Sequence, residues 1–331
     1  MSRLSIWLIF ATACILFTFY FIARTHIDPP SLPRITFESH AQSNWTAVFS
    51  SPSRLNLTLE GNERRYQEVV RERKAEIQRF GSDKVAFPAP FTEFYTLWDF
   101  FVPAFSCPCP VYRVGTLGDG GKWTCCVERA LKTNRQSGGC VVYSLGVERQ
   151  SSFEQEILHA DKHCQVFGFD FSVAEFGPEL LADAAVNHRA HFFPYKIGGG
   201  ADNHSATPPE YSLRGIMDEL GHDFVDILKV DIEGSEWHAL LSLVSAFEGK
   251  PLPFGQLLIE IHVGYIAERN SLGSIDEWWS ILEDAGLRPF WTEVNLLDVN
   301  FLRRGPLVAE WSFLNIRGNH ALVDDTLPDY P

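Results

Sequence analysis

The chain is short of positive charge: 28 Lys and Arg face 42 Asp and Glu over 331 residues, for a net charge of −14. The shortage is uneven. Residues 1–80 carry ten basic and seven acidic side chains, so the rest of the chain carries −17. A region that acidic has no electrostatic reason to approach a phosphate backbone, which excludes DNA or RNA as the expected partner. Internal repeats are lacking, and the cysteines lack the C-x-x-C spacing of a usual zinc site. A composition of 45% hydrophobic, 21% charged and 13% aromatic residues excludes a disordered, collagenous or coiled-coil chain.

Long uncharged runs are scarce as well, and one stands out. Leu4 to Ala23 (LSIWLIFATACILFTFYFIA) holds twenty residues without a charge, enough as a helix to span about 30 Å of hydrocarbon. A cleaved signal peptide has a shorter apolar core, of about 7–15 residues, and a small-residue cleavage site. Residues 1–23 therefore read as a transmembrane anchor. Arg3 on one side and Arg24 on the other hardly bias its orientation. Sequons at Asn44, Asn56 and Asn203, and six cysteines outside the anchor, favour a single-pass type II protein with a lumenal domain in the Golgi or ER. Residues 24–59 are Pro-, Ser- and Thr-rich and read as a stem, and 60–80 as a spacer helix with a solvated basic face. Residues 81–139 form an extension packing on the domain of 140–320, and 321–331 a tail.

From Cys140 onward strands and helices alternate, the pattern of a doubly wound α/β sheet. Strands are expected at 141–145, 166–169, 191–195, 224–230 and 257–261. Helices are expected after Ser151, with Glu154 completing a capping box, over 213–220, from Ser235, and over 274–285. The last two strands, 289–294 and 310–316, have no helix expected between them and should pair antiparallel. A mostly parallel sheet with a terminal antiparallel hairpin is the outline of a class I S-adenosylmethionine (SAM) methyltransferase, although other doubly wound enzymes share its first five units.

Ligands of such sheets bind at the carboxyl ends of the strands. The first strand ends Ser144-Leu145-Gly146-Val147, with one glycine where a dinucleotide fingerprint has three, which disfavours NAD and suits SAM. Asp170, 24 residues beyond Gly146, closes the second strand, where a carboxylate can accept both ribose hydroxyls; Phe171 follows it. Gly146, Val147, Asp170 and Phe171 are thus the cofactor-binding candidates. Near the third strand end, Lys229-Val-Asp231-Ile-Glu233-Gly-Ser-Glu236-Trp237 crowds three carboxylates onto a strand-to-helix turn. Asp231 and Glu233 can hold a divalent cation or supply a general base, whereas Glu236 reads as an ordinary acid in a helix's first turn. Alternation places Glu260 and His262 on one side of the next strand. Asp231, Glu233 and His262 are the catalytic candidates. No metal ligands are assigned, and the metal requirement stays open.

The runs K-V-D-I-E-G-S-E-W and L-L-I-E-I-H resemble the FkbM-type SAM-dependent methyltransferases. Gly118-Asp-Gly-Gly-Lys122-Trp-Thr-Cys125, Cys140-Val-Val-Tyr-Ser-Leu-Gly146 and Ser152-Phe-Glu154 look like the related eukaryotic group typified by methyltransferase-like protein 24. The resemblance covers about residues 100–316. It implies SAM as co-substrate near Gly146 and Asp170, and methyl transfer near Asp231, Glu233 and His262. Family members chiefly methylate hydroxyls, often on sugars. In this sequence Phe169-Asp170-Phe171 stands where the family tends to show F-D-P. Lys122, after its glycine pair, can meet the SAM carboxylate or an anionic acceptor.

Three functions fit these residues: an O-methyltransferase acting on a glycan or small hydroxylated acceptor, a type II glycosyltransferase using Asp231 and Glu233 for metal, and a non-catalytic membrane-tethered domain. The oligomeric state is not legible. One expectation comes from spacing alone. Cys140 and Cys164 each lie six residues before a strand-ending Gly146 or Asp170, on strands that neighbour each other in the methyltransferase order, so they should form a disulfide. Cys107 and Cys109 would then pair with Cys125 and Cys126, a zinc site of those four being the weaker alternative in a lumenal compartment and without C-x-x-C spacing.

Overall fold

A computed structural model describes residues 53–88, 93–118, 120–131 and 139–324. The proposed anchor and most of the proposed stem lie outside the described residues. Among the described residues, no helix is long and apolar enough to cross a membrane.

The centre is a seven-stranded sheet. In chain order its strands are β3 (Val141–Leu145), β4 (Gln165–Phe169), β5 (Ala190–Phe193), β8 (Val225–Val230), β9 (Phe254–His262), β10 (Leu287–Val294) and β11 (Val308–Asn315). Two small pairs flank it, β1 (Val111–Val114) with β2 (Lys122–Cys125) and β6 (Lys196–Ile197) with β7 (Glu210–Tyr211). The order across the sheet is β10-β11-β9-β8-β3-β4-β5. All pairs from β9 to β5 are parallel, while β11 runs antiparallel to both β9 and β10. This is the doubly wound class I methyltransferase architecture with its terminal hairpin. The hairpin connection does carry a short helix, Leu296–Asn300, which the sequence reading left out: Asn295 caps it by accepting from the backbone N–H groups of Leu297 and Asp298.

The strands form where β-branched and aromatic residues run together, and both faces of the central ones are covered. Every residue of β8 and β9 is buried, as expected for parallel strands between two helix layers. The helices α1 (Ser53–Phe80), α2 (Val127–Leu131), α3 (Ser152–Ala160), α4 (Pro178–Leu181), α5 (Leu213–Leu220), α6 (Glu236–Ala246) and α7 (Leu272–Asp284) pack on this frame, with Leu296–Asn300 as α8. Trp237, Trp278, Trp279 and Trp311 are buried between α6, α7 and the sheet. α5 ends at Gly221 in the left-handed region (φ 70°), the stop expected there.

The spacer reading of 60–80 does not hold. α1 begins earlier, at Ser53, and docks by its polar residues. Tyr66 is buried and donates its hydroxyl to Glu283. Arg73 reaches Asp276 at 2.9 Å and grips Glu283 with two N–H groups at 2.6 Å and 3.0 Å. Arg288 returns a two-pronged pair to Glu63 at 2.6 Å and 2.7 Å. A basic face meant only for water would leave these guanidiniums exposed. Instead the Arg73 side chain is 2% exposed.

The cysteines pair as the spacing indicates. Cys140 and Cys164 form a disulfide with their Cα atoms 4.4 Å apart, at the amino edge of β3 and β4, where Val141 lies opposite Gln165. Cys107–Cys125 and Cys109–Cys126 tie the segment before β1 to the end of β2.

Candidate active site

The carboxyl ends of β3, β4 and β8 open into a cavity of about 400 Å³, lined among others by Gly146, Asp170, Phe171, Asp231, Glu233 and Glu260. Six of the eight candidates read from the sequence meet there, and two stand behind the wall.

Gly146 makes the turn after β3 with φ 75°. A Cβ at this position would lie 1.6 Å from the carbonyl oxygen of Asp231, so the glycine is demanded by the neighbouring strand end before any ligand is considered. Val147 is buried and offers the cavity little but its backbone. That backbone is held by Asp170, whose Oδ2 accepts from the N–H groups of Val147 (3.0 Å) and Glu148 (2.8 Å). Its Oδ1 accepts from the N–H and hydroxyl of Ser172, both at 2.7 Å. Four donors thus meet the carboxylate, and only the Ser172 hydroxyl can rotate away for a ribose. Phe171, exposed, and Ile197, buried, both line the cavity.

The floor is a charged cluster. Asp231 lies 3.3 Å from the ammonium of Lys122, which also pairs with Glu310. The expectation that Lys122 meets a ligand is therefore corrected: its side chain is 1% exposed, and its charge is taken up by carboxylates inside the fold. The cause lies in the strand register. Glu260, Glu310 and Glu293 stand directly opposite one another across β9, β11 and β10. Like charges so placed repel, and the β1–β2 hairpin supplies the answering cations. Lys122 serves Glu310, while Arg113 reaches Glu293 at 2.5 Å.

His262, at the end of β9, sits behind Glu233 and Glu260. Glu236 fixes it: one carboxylate oxygen accepts from the His262 backbone N–H at 2.9 Å and faces Nδ1 at 3.1 Å, and the other accepts from Gly234 at 2.8 Å. Glu236 is wholly buried, so it is far more than the first-turn acid its position suggested. The His262 Nε2 points at Glu233 (3.5 Å) and Glu260 (3.7 Å). Glu260 is held from the far side by the Asn295 amide at 2.7 Å. Glu233 is the most open of these acids and occupies the left-handed region, with φ 54°.

These neighbours set the charge states. Burial opposes ionisation of Asp231, but Lys122, Lys229 and His262 outweigh it and lower the carboxyl to about 2. Glu260 moves the other way, to about 9, through burial and the nearby Asp231 and Glu310. Burial disfavours the His262 imidazolium, yet Glu236 overcomes it and raises the ring to about 9. Burial raises Glu233 against the pull of His262.

Sequence reasoning missed three participants. Lys229 is buried beneath the turn and donates to the Gly146 carbonyl at 3.0 Å and to the Ser144 hydroxyl at 3.2 Å. Glu154, expected to complete a capping box, instead pairs with Ser144 and lies 3.3 Å from Lys229. Ser151, the other half of that box, accepts from Gly177. Glu310 had one signal: an acid inside the apolar run Val308–Asn315.

The cavity suits SAM on these observations. Its carboxylates complement a sulfonium and an ammonium, the Gly146–Glu148 turn brings backbone close to the ligand, and Phe171 and Ile197 offer apolar surface for a base. Fold and site together define a Rossmann-like class I methyltransferase. A family model described as a methyltransferase domain matches residues 75–305, and the chain belongs to that methyltransferase family. The chain is 26% identical over 180 residues to the probable methyltransferase-like protein 24 of Homo sapiens, covering 51% of this chain and 46% of that protein. It is 27% identical over 179 residues to the Rattus norvegicus protein of the same name, covering 51% and 47%. The match thus spans about half the length of these curated relatives. Among solved structures, the Methanococcus jannaschii fibrillarin pre-rRNA processing protein is similar at TM-score 0.34 and 12% identity, over 53% of this chain and 66% of that one. An O-methyltransferase family 2 protein from Planctomyces limnophilus, in complex with apigenin, gives TM-score 0.32 and 12% identity over 56% and 54%. At such scores the fold assignment rests on the strand order described above.

Proposed function

We propose that the protein is a SAM-dependent O-methyltransferase acting on a hydroxylated acceptor such as a glycan, anchored in a Golgi or ER membrane with its domain in the lumen. The observation that carries the chemistry is the cavity at the carboxyl ends of β3, β4 and β8, with its tied turn and carboxylate floor. SAM, when bound, supplies a methyl group already activated on sulfur. What remains for the chain is to align an oxygen with that methyl and to take a proton.

In this reading Asp170 keeps the Gly146–Glu148 turn in place, and Lys229 braces it from below through the Gly146 carbonyl. Asp231 stays ionised and gives the floor its negative field. Glu233 takes the acceptor's proton: its basicity is raised, and it is open to the cavity. His262, held charged by Glu236, steadies the carboxylate that faces it. The lumenal placement is supported by the apolar run Leu4–Ala23, by the exposed sequon residue Asn203, and by three disulfides, which belong to oxidising compartments.

The test is transfer of a labelled methyl from SAM to hydroxyls of a glycan extract by the full-length protein. Transfer is expected, with Glu233→Gln slower by about 10²-fold at an unchanged SAM affinity. SAM binding without transfer to any hydroxylated acceptor would count against the O-methylation reading.

A further inference from the structure

Asp231, Glu260 and His262 each bring one potential ligand atom to a common point, all within 4.8 Å of one another. The geometry points to a divalent-cation site formed by the Asp231 and Glu260 carboxylates with the His262 Nε2, at the floor of the cavity between the ends of β8 and β9.

The first support is His262 itself. Its side chain is 3% exposed, and its Nδ1 is committed to Glu236. Its Nε2 makes no hydrogen bond among the described residues; it looks past that partner toward carboxylates 3.5 Å and 3.7 Å away. A ring fixed by a carboxylate on one nitrogen, with the other nitrogen aimed inward, is the usual preparation of a metal-binding histidine. The other two ligands are prepared in the same manner. Asn295 orients Glu260 at 2.7 Å, and Lys122 stands 3.3 Å from one oxygen of Asp231.

Charge counting is the second support. Glu236 is held by the backbone N–H groups of Gly234 and His262, and Lys229 is answered by Glu154 at 3.3 Å. That leaves Lys122 alone against Asp231, Glu260 and Glu310. Three carboxylates thus share one ammonium in a buried place, where an unpaired charge is costly. A divalent cation relieves this crowding, displacing the protons on Glu260 and on the His262 Nε2 as it binds. The buried Oε2 of Glu310, which has no hydrogen-bond partner, belongs to the same group. Two carboxylate oxygens and one imidazole suit Mn²⁺, a hard ion that also accepts an imidazole nitrogen, better than Mg²⁺ or Ca²⁺, which favour all-oxygen sites. An ion there would sit beside Glu233 and lower the pKa of an acceptor hydroxyl in the cavity.

Mn²⁺ alone is the probe. Full-length protein in detergent, stripped with EDTA, is titrated with Mn²⁺ while electron paramagnetic resonance reads the free ion. One Mn²⁺ per chain is expected in the absence of SAM. Asp231→Asn and Glu260→Gln should each weaken binding by about 100-fold, and Glu236→Gln, which frees the imidazole, by about 10-fold. Circular dichroism checks that each variant is folded, and Asn295→Ala provides a milder route if a floor variant is not. Absence of bound Mn²⁺ at millimolar concentration in the folded wild-type protein overturns the site, as does equal binding by the folded variants. Because the readout needs neither SAM nor an acceptor, it stands or falls apart from the methyl-transfer proposal.

Discussion

Helix α1 and the β1–β2 hairpin each deliver a buried cation to the sheet, Arg73 in one case and Lys122 in the other, but the company they meet differs. Arg73 is matched fork to fork with Glu283 and has Asp276 beside it, while Arg288 and Glu63 form a second two-pronged pair nearby. There the carboxylates are spoken for. Around Lys122 the acids outnumber the cations, Glu310 keeps an unpartnered buried oxygen, and Glu260 is pushed toward its neutral form. The first arrangement has what a docking contact needs. The second is short of positive charge beside a cavity, and such a shortage invites a cationic ligand. Perturbed carboxylates lining a cleft are candidates for a functional site.

The largest effect expected from breaking this contrast is on the docking side. Arg73→Ala leaves Glu283 buried without its partner, and about 3–5 kcal/mol of stability should be lost in chemical denaturation. A loss under 1 kcal/mol would mean that α1 contributes little to the fold.

Next comes the staple at the opposite edge of the sheet from the cavity. Replacing Cys140 and Cys164 together by Ala should cost about 3 kcal/mol on the chain-entropy account, with SAM binding retained in the folded fraction. Peptide mapping of secretory-pathway protein without reductant should recover the 140–164 bridge. Free thiols at both positions would remove it, and with it much of the lumenal argument.

On the cavity side, Asp170→Ala releases the N–H groups of Val147 and Glu148 together, and SAM binding should weaken by roughly 1.5–3 kcal/mol. An unchanged dissociation constant in a folded variant would take Asp170 out of the site.

The subtlest contrast is in the response to pH. Glu260 and His262 are both raised to about 9, so the folded chain keeps protons that the unfolded chain gives up. From their unfolded values up to about 9, stability should therefore fall as pH rises. Glu63 has the opposite sign. Burial opposes its charge, but Arg288 prevails and lowers its pKa, so its contribution is full above its unfolded value and fades as pH falls through the lowered one. Glu260→Gln should flatten the alkaline slope and Glu63→Gln the acid one. Unchanged slopes in both variants would show that the clusters do not differ as described.

What could be read in advance follows the same division. Strands and helices were legible because each is specified by its own residues: the apolar runs 141–145 and 225–230, or Gly221 closing α5. That Gly146, Asp170, Asp231 and Glu233 line one cavity was legible because they follow closely on the carboxyl ends of their strands. The partners were not, since they arrive from far along the chain. Lys122 meets Glu310 across 188 residues, and Arg73 meets Glu283 across 210. Glu154 misled through a local pattern: S-x-x-E suggested a cap, but Ser144 and Lys229 on adjacent strands claimed the carboxylate. Charged α1 read as a spacer for a similar reason, because nothing in its own sequence announces Glu283 or Asp276.

Calorimetric titration of the full-length protein with SAM and, separately, with UDP-sugars tests the central claim, that the cavity beneath the Gly146 turn is a SAM site. The account predicts saturable 1:1 binding of SAM, weakened in Asp170→Ala, and no binding of UDP-sugars. Saturable binding of a UDP-sugar with none of SAM would contradict it.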